Sequence, residues 1–231
     1  MILSIDTSGR EGSVALRKEG KLVEQIELPG QPRSTQTLAP AIQKLLKQHD
    51  LPPQEIEAIA VTTGPGSFTG LRVGVMTAKT MAYALKVPIV GVDTLQAIAQ
   101  AAAPVGEPVC VLLNAQRREW FVGEYLRTEE NTVPAPVQPI RILSQTAFWK
   151  WWEEQSSSLW LTGPGLSQVA EDHPSRSRWL DRASRQPQAS FVGELAEHRL
   201  AVSEIDDVWQ LVPQYYRPSA AEEKWAEKQK R

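Results

Sequence analysis

The sequence has 231 residues, 42% of them apolar and 23% charged, and a net charge of −2. That length admits one large domain or two small ones, and the near balance of charge excludes a protein that gathers nucleic acid or anionic membrane by bulk electrostatics. Cys110 is the single cysteine; it excludes an internal disulfide and, inside the apolar run 108–113, reads as a small core residue in a reducing compartment. The opening MILSIDTS has neither the basic start nor the long apolar run of a signal peptide. No apolar stretch approaches the ~20 residues of a membrane span, so the expectation is a cytoplasmic protein with no membrane partner.

In chain order, residues 2–5 form a short buried strand ending at Asp6-Thr7-Ser8-Gly9. Strands at 13–17 and 22–28 follow, joined by a turn at Lys18-Glu19-Gly20-Lys21. Leu38, Ile42, Leu45 and Leu46 then share one face of a helix over 35–49, in which Pro40 is tolerable only in the first turn. A strand at 56–62, a helix over 67–86, a strand at 88–92 and a helix over 94–103, capped by Asp93 or Thr94, complete the first half. The order β-β-β-α-β-α-β-α predicts a mixed sheet with helices on its faces. The segment Ala101-Ala102-Ala103-Pro104-Val105-Gly106 marks a boundary, giving lobes over 1–103 and 104–218. All eight tryptophans lie beyond it. There, 109–113 and 120–126 read as paired strands, followed by loops rich in Pro, Ser and Arg with short helices. Residues 219–231 read as a charged tail.

The stretch Val61-Thr62-Thr63-Gly64-Pro65-Gly66-Ser67-Phe68-Thr69-Gly70-Leu71-Arg72-Val73-Gly74-Val75 sets a glycine-rich turn between a strand and a helix. Its backbone suits a phosphate, yet no lysine follows as in a Walker loop, and Thr69 stands where a dinucleotide loop needs glycine. The plainer reading is that the glycines allow tight strand-to-helix packing. The helix itself is more informative: between Phe68 and Leu85 its only charges are Arg72 and Lys79. Leu71, Val75, Ala78, Ala82 and Leu85 make one apolar face, and Phe68, Val73, Met76, Thr80 and Tyr83 keep much of the rest apolar or neutral. A surface helix needs a broad polar face, so this one calls for a second cover. Gly70, Gly74, Ala78 and Ala82, four apart, would let another backbone approach.

Together, Ile2-Leu3-Ser4-Ile5-Asp6-Thr7-Ser8, the stretch Gly64 to Gly74, and Pro213-Gln214-Tyr215-Tyr216-Arg217 resemble the bacterial TsaB (YeaZ) family. The resemblance runs in order along about the whole chain, more loosely in its second half. It implies an actin/hexokinase/Hsp70-like fold of two RNase H-like lobes. It implies a part in making N6-threonylcarbamoyladenosine at position 37 of tRNAs reading codons that start with A. It also implies a TsaD-like catalytic partner, a TsaE-like ATPase in the same complex, and a homodimer when the chain is alone. Pairing through the first two helices maps the partner interface onto Leu38, Ile42, Leu45, Phe68, Gly70, Leu71, Gly74, Val75, Met76, Ala78 and Ala82. The sequence departs from the family at Ser34-Thr35, where a His-Ser pair is usual. It departs again at Asn114-Ala115-Gln116 and Glu119-Trp120-Phe121, where Asp-Ala-Arg and Glu-Val-Tyr are common.

Chemistry is scarce. His49, His173 and His198 stand far apart with no metal-ligand spacing, and no Ser or Cys sits in a nucleophile context, which argues against a peptidase. Asp6, Thr7, Ser8, Gly64 and Gly66 are the candidates for a vestigial nucleotide cleft, although Asp-Thr-Ser is also a good turn sequence. No cofactor is required by the chain, with ATP or ADP left to the complex. RNA contact needs basic and aromatic residues together; Arg176, Arg178, Trp179, Arg182 and Arg185 read as such a stretch, with Lys228, Lys230 and Arg231 at the tail, and RNA is expected to be met only through the complex. The sequence therefore predicts a scaffold subunit. The rival is a small-molecule kinase or ATPase of the same superfold with Asp6 as its metal-side carboxylate.

Overall fold

The computed structural model describes residues 1–30, 34–155, 159–170, 173–181 and 185–217. Its first sheet opens with an antiparallel meander, β1 (Ile2–Asp6), β2 (Gly12–Lys18) and β3 (Lys21–Leu28). Glu19 and Gly20, both at positive φ, form the two-residue turn between β2 and β3, a geometry that follows the natural strand twist and favours glycine. After α1 (Ser34–Gln48), β4 (Ala58–Gly64) and β5 (Ile89–Asp93) join parallel to β1, giving the order β3-β2-β1-β4-β5. β4 is buried along its whole length, which is why it carries no charge.

Side chains alternate across this sheet. One face, with Leu3, Ile5, Ile59 and Val61, packs under α1 and α2 (Phe68–Leu85). The other, with Ala60, Val90 and Val92, packs under α3 (Thr94–Ala102) and α5 (Ala189–Ala201). Asp93 caps α3 by accepting from the Gln96 N–H at 2.8 Å. Pro40 corrects the expectation that it lies in the first turn: α1 begins at Ser34, so the proline is interior. It is tolerated because it sits on the solvent side, where the carbonyl it leaves unpaired lies on exposed Gln36.

The second sheet contains β6 (Pro108–Gln116), β7 (Glu119–Leu126), β8 (Ala135–Ser144) and β9 (Trp160–Thr162) in the order β8-β7-β6-β9. One of its faces, through Val109, Val111, Phe121 and Tyr125, packs on Leu95, Ile98 and Ala99 of α3, so α3 lies between the two sheets. The opposite face is covered by α4 (Gln145–Glu153). There Phe148 meets Trp120 and Trp149 edge to face, at 5.2 and 5.0 Å between ring centroids. The tryptophans fill the space between a sheet and a single short helix, with rings in the geometry their quadrupoles favour.

Part of the segment expected as the second lobe, 104–218, leaves the second sheet. α5 returns to the first, where Arg17 of β2 binds its Glu197 at 2.9 Å and Ser13 Oγ accepts from the Ala189 N–H at 2.8 Å. Residues 205–217 then run back as an irregular strap. Asp206 pairs with Ile89 at the edge of β5, Gln214 N–H donates to the Thr63 carbonyl at 2.7 Å, and Arg217 reaches Glu119 and the Ala115 carbonyl of the second sheet. Residues 219–231, expected as a charged tail, lie outside the described residues. Among the described residues no helix is long and apolar enough to cross a membrane.

Candidate functional site

The turn after β1 and the glycine loop after β4 are welded together. Asp6 Oδ1 accepts three hydrogen bonds: from Ser8 N–H at 3.1 Å, Ser8 Oγ at 2.7 Å and Thr62 Oγ1 at 2.8 Å. Asp6 Oδ2 is buried without a partner. Burial pushes the Asp6 carboxyl above the usual carboxylate range, against the downward pull of those hydrogen bonds. The Ser8 carbonyl accepts from Ser67 N–H at 2.7 Å, and Thr7 Oγ1 donates to the Gly70 carbonyl at 2.7 Å.

The glycines are therefore sites of close approach. A Cβ on Gly66 would stand 2.5 Å from the Ser8 carbonyl oxygen, and one on Gly70 would overlap the Thr7 carbonyl. Gly64 lies against the carbonyl of Gln214 in the strap, and Gly74 against the Thr7 hydroxyl. The structure thus brings Asp6, Thr7, Ser8, Gly64 and Gly66 into one cluster. Their groups are turned on each other: Asp6 and Thr7 have no exposed surface, and the Ser67 amide that would meet a phosphate is already bonded. This arrangement does not fit a metal-bound nucleotide phosphate.

The partner-facing stripe expected from sequence is corrected by the packing. Leu38, Ile42, Leu45, Leu71, Val75, Ala78 and Ala82 are buried in the chain's own first core, and Gly70 and Gly74 are buried with them. These side chains have the periodicity of an interface because they have the periodicity of any helix face that covers a sheet. Of the expected stripe, only Phe68 and Met76 reach the surface, Met76 with 60% of its surface exposed.

The other side of α2 is what stands open: Thr69, Arg72, Met76, Thr80, Tyr83 and Ala84 are exposed, with Val73 and Thr77 half-buried. Tyr83 is 63% exposed. Both cations of the helix are drawn sideways onto the strap. Arg72 Nε donates to Tyr215 Oη at 2.9 Å, with its guanidinium over the Phe68 ring, and Lys79 donates to the carbonyls of Trp209 and Leu211 at 3.1 and 2.9 Å. Phe68 packs on Tyr215 with tilted rings, and Tyr83 meets Trp209 edge to face. The open face of α2 carries no carboxylate and its exposed Arg72 is held on the strap, which widens the face with Trp209 and Val212, 68% and 62% exposed. The strap's part in this surface was legible only as a motif, Pro213 to Arg217, with no pattern that told where it would lie. The open face of α1 differs: Gln43, Lys44, Lys47 and Gln48 with Pro40 line a shallow polar groove.

A second bond between lobes lies deeper. Asp93 Oδ1, besides capping α3, accepts from Tyr125 Oη of β7 at 2.9 Å. Burial raises the Asp93 carboxyl and the Tyr125 phenol, and Tyr216 beside them is pushed up to about 12, again chiefly by burial.

The histidines stay apart. His49 pairs with Glu24 at 2.7 Å, His173 stacks on Trp149, and His198 lies exposed on α5. Among the described residues no group of three or more His, Cys, Asp or Glu is placed to hold a metal ion. Ser175 and His173 meet at 2.8 Å, a pair the sequence did not suggest. Ser175 is buried and accepts from Trp179 Nε1 at 3.0 Å, so the hydroxyl is a packing element rather than a nucleophile. In the expected RNA stretch, Arg178 lies over the Trp152 ring and Arg185 over Trp179. Arg182, Lys228, Lys230 and Arg231, and the side chain of Arg176, lie outside the described residues.

The TsaD family model, described as tRNA N6-adenosine threonylcarbamoyltransferase, matches residues 31–202. TsaB of Bacillus subtilis (strain 168), described as a tRNA threonylcarbamoyladenosine biosynthesis protein, is 30% identical over 233 residues, 99% of each chain. TsaB of Escherichia coli (strain K12) is 37% identical over 131 residues, 55% of this chain and 56% of that one. A solved structure of YeaZ from Pseudomonas aeruginosa superposes with a TM-score of 0.76 at 27% identity, covering 93% of this chain and 98% of that one. With two mixed sheets in the expected actin/hexokinase/Hsp70-like arrangement and a full-length relative at this identity, the chain belongs to the TsaB (YeaZ) family.

Proposed function

We propose that the chain is a non-catalytic subunit in the biosynthesis of N6-threonylcarbamoyladenosine at position 37 of tRNAs reading codons that start with A. It works in the cytoplasm as the support of a TsaD-like catalytic subunit, with a TsaE-like ATPase in the same complex. Membership of the family supports the pathway. The open face of α2 supports the mode: it has no carboxylate, carries exposed Met76 and Tyr83, and has its cations Arg72 and Lys79 tied to the strap. A stable interface removes about 1,600 Å² from water, and a helix face of this kind with its aromatic border suits the centre of one. The same face, self-complementary about a two-fold axis, forms the homodimer when the partner is missing. ATP or ADP belongs to the complex, and tRNA is met through it.

The rival, a small-molecule kinase or ATPase working through Asp6, needs that carboxylate within reach of a metal-bound phosphate. Its complete burial and its three internal donors stand against it. Reconstitution tests the reading. Purified TsaD-like subunit, TsaE-like ATPase, threonylcarbamoyl donor and unmodified tRNA are combined with and without the chain. Modification that depends on adding the chain, and survives Asp6→Asn, is the expected outcome. Modification indifferent to the chain, or ATP turnover by the chain alone that Asp6→Asn abolishes, overturns it.

A further inference from the structure

We propose that the outward surface shared by α1 and α2 is charged so as to select an acidic partner protein over a second copy of this chain, with carboxylates of the TsaD-like subunit set opposite Lys44, Lys47 and Arg72; this rests on the reading above that the subunit docks on α2. α1 and α2 lie side by side on one face of the first sheet and touch each other. Their 15 and 18 residues hold the cations Lys44, Lys47, Arg72 and Lys79, and no Asp or Glu. The whole chain has 27 Asp and Glu against 25 Lys and Arg, and a net charge of −2. A slightly acidic chain has thus kept carboxylates out of one whole layer.

That charge is not cancelled within the chain. Lys44 and Lys47 are exposed on the open side of α1, beside Gln43 and Gln48. Among the described residues neither is paired with a carboxylate. The groups that hold Arg72 and Lys79 are neutral: the Tyr215 hydroxyl, and the carbonyls of Trp209 and Leu211. These two cations are therefore fixed in place with their charge intact. Carboxylates at the borders of the layer are engaged elsewhere. Glu24 binds His49 at 2.7 Å, Asp206 binds Arg199 at 3.2 Å, and Asp207 accepts from the Trp209 and Gln210 amides at 2.6 and 3.1 Å. Asp50 stands past the last turn of α1. Exposed Met76, Tyr83, Trp209 and Val212 give the surface an apolar centre that a phosphodiester backbone would not use; an apolar centre with a charged border is the anatomy of a protein interface. A two-fold dimer sets one patch against itself, so a second copy brings the same four cations against these. Opposite charge steers association and like charge opposes it. The apolar centre favours both assemblies, and the charge discriminates between them.

The test uses the full chain and the purified TsaD-like subunit across a NaCl series. Calorimetry follows binding of the subunit, and sedimentation follows self-association of the chain alone. Screening acts on the two in opposite directions. The expected result is a partner affinity that falls about tenfold from low to high salt, and a self-association that strengthens over the same range. Lys44→Glu/Lys47→Glu alters exposed positions, and circular dichroism checks its fold. It is expected to weaken partner binding at least about tenfold at low salt and to strengthen self-association, because each copy then offers carboxylates to the cations of the other. Lys44→Arg/Lys47→Arg is expected to bind as wild type does. Partner affinity that ignores both salt and the charge reversal overturns the proposal, as does self-association that is tightest at low salt. A reversal that weakens binding of unmodified tRNA but not of the subunit assigns the surface to nucleic acid and overturns it too. Met76→Glu keeps the two readings apart: if it abolishes partner binding while Lys44→Glu/Lys47→Glu leaves it intact, docking on α2 stands and this inference falls. A wild-type chain that does not bind the subunit at any salt defeats both.

Discussion

The two sides of α2 are made of similar residues and have opposite uses. The inner side, Gly70, Leu71, Gly74, Val75, Ala78 and Ala82, is small and buried against the first sheet and the Thr7 turn. The outer side, with Val73, Met76, Thr77, Thr80 and Tyr83, is also largely apolar or neutral, with Arg72 its exposed charge, and faces the open. Composition alone does not tell them apart; packing does. The inner half of the helix is explained by the chain's own core, and the outer half is the surface proposed above for the partner.

Neighbouring residues break the comparison most sharply. Val75→Glu places a carboxylate in the core without a partner, and we expect it to cost about 4 kcal/mol or more and to abolish the cooperative thermal transition. Met76→Glu, one residue on, is expected to change stability by less than about 0.5 kcal/mol. If both unfold the chain alike, the helix is not two-faced. Gly70→Ala tests the inner side by bulk alone. Its Cβ has no room beside the Thr7 carbonyl, and a loss of about 3 kcal/mol in urea unfolding is expected.

The strap that borders the outer face is tested next. Arg217→Ala removes charge-assisted bonds to Glu119 and Ala115 and is expected to cost about 2 kcal/mol, with faster hydrogen exchange at the Gln214 amide. Unchanged exchange there would mean that the strap holds without its anchor in the second sheet.

Asp6 adds a pH dependence. Its folded pKa is raised by burial, so its contribution to stability is full below the unfolded value of about 4 and is lost as pH rises through the folded one. Asn keeps an acceptor for the Ser8 and Thr62 donors and never ionises. Asp6→Asn is therefore expected to gain stability relative to wild type as pH rises from about 4; a flat difference between the two would show that burial does not govern the carboxyl. The smallest effect is at the tip of the β6–β7 hairpin. Arg117→Asn/Arg118→Gly relieves two left-handed arginines and is expected to raise stability by about 1 kcal/mol, the low end of the strain at such positions.

Much of the first sheet was legible because strands buried on both faces and amphipathic helices carry their period in the sequence. The helices over 35–49 and 67–86 lie at Ser34–Gln48 and Phe68–Leu85. β8 was not legible: Pro136 and Pro139 argue against a strand, and only its edge position tolerates them. α5 was hidden for another reason. Gly193 has no room for a Cβ beside Ser4 and Arg17, so a strong helix former gives way there to close packing. The glycine loop packs closely on the turn after β1, as its glycines suggested, and one face of the neutral helix covers the chain's own sheet. Which side faced outward was not readable, because Leu71 and Val75 would serve an interface as well as a core.

The most direct measurement is the affinity of Met76→Glu for the purified TsaD-like subunit by calorimetry, with circular dichroism confirming the fold. The account predicts a folded variant whose affinity for the partner falls at least about tenfold, a loss of ~1.4 kcal/mol. A folded Met76→Glu that binds the partner as tightly as wild type would contradict it and move the docking surface off α2.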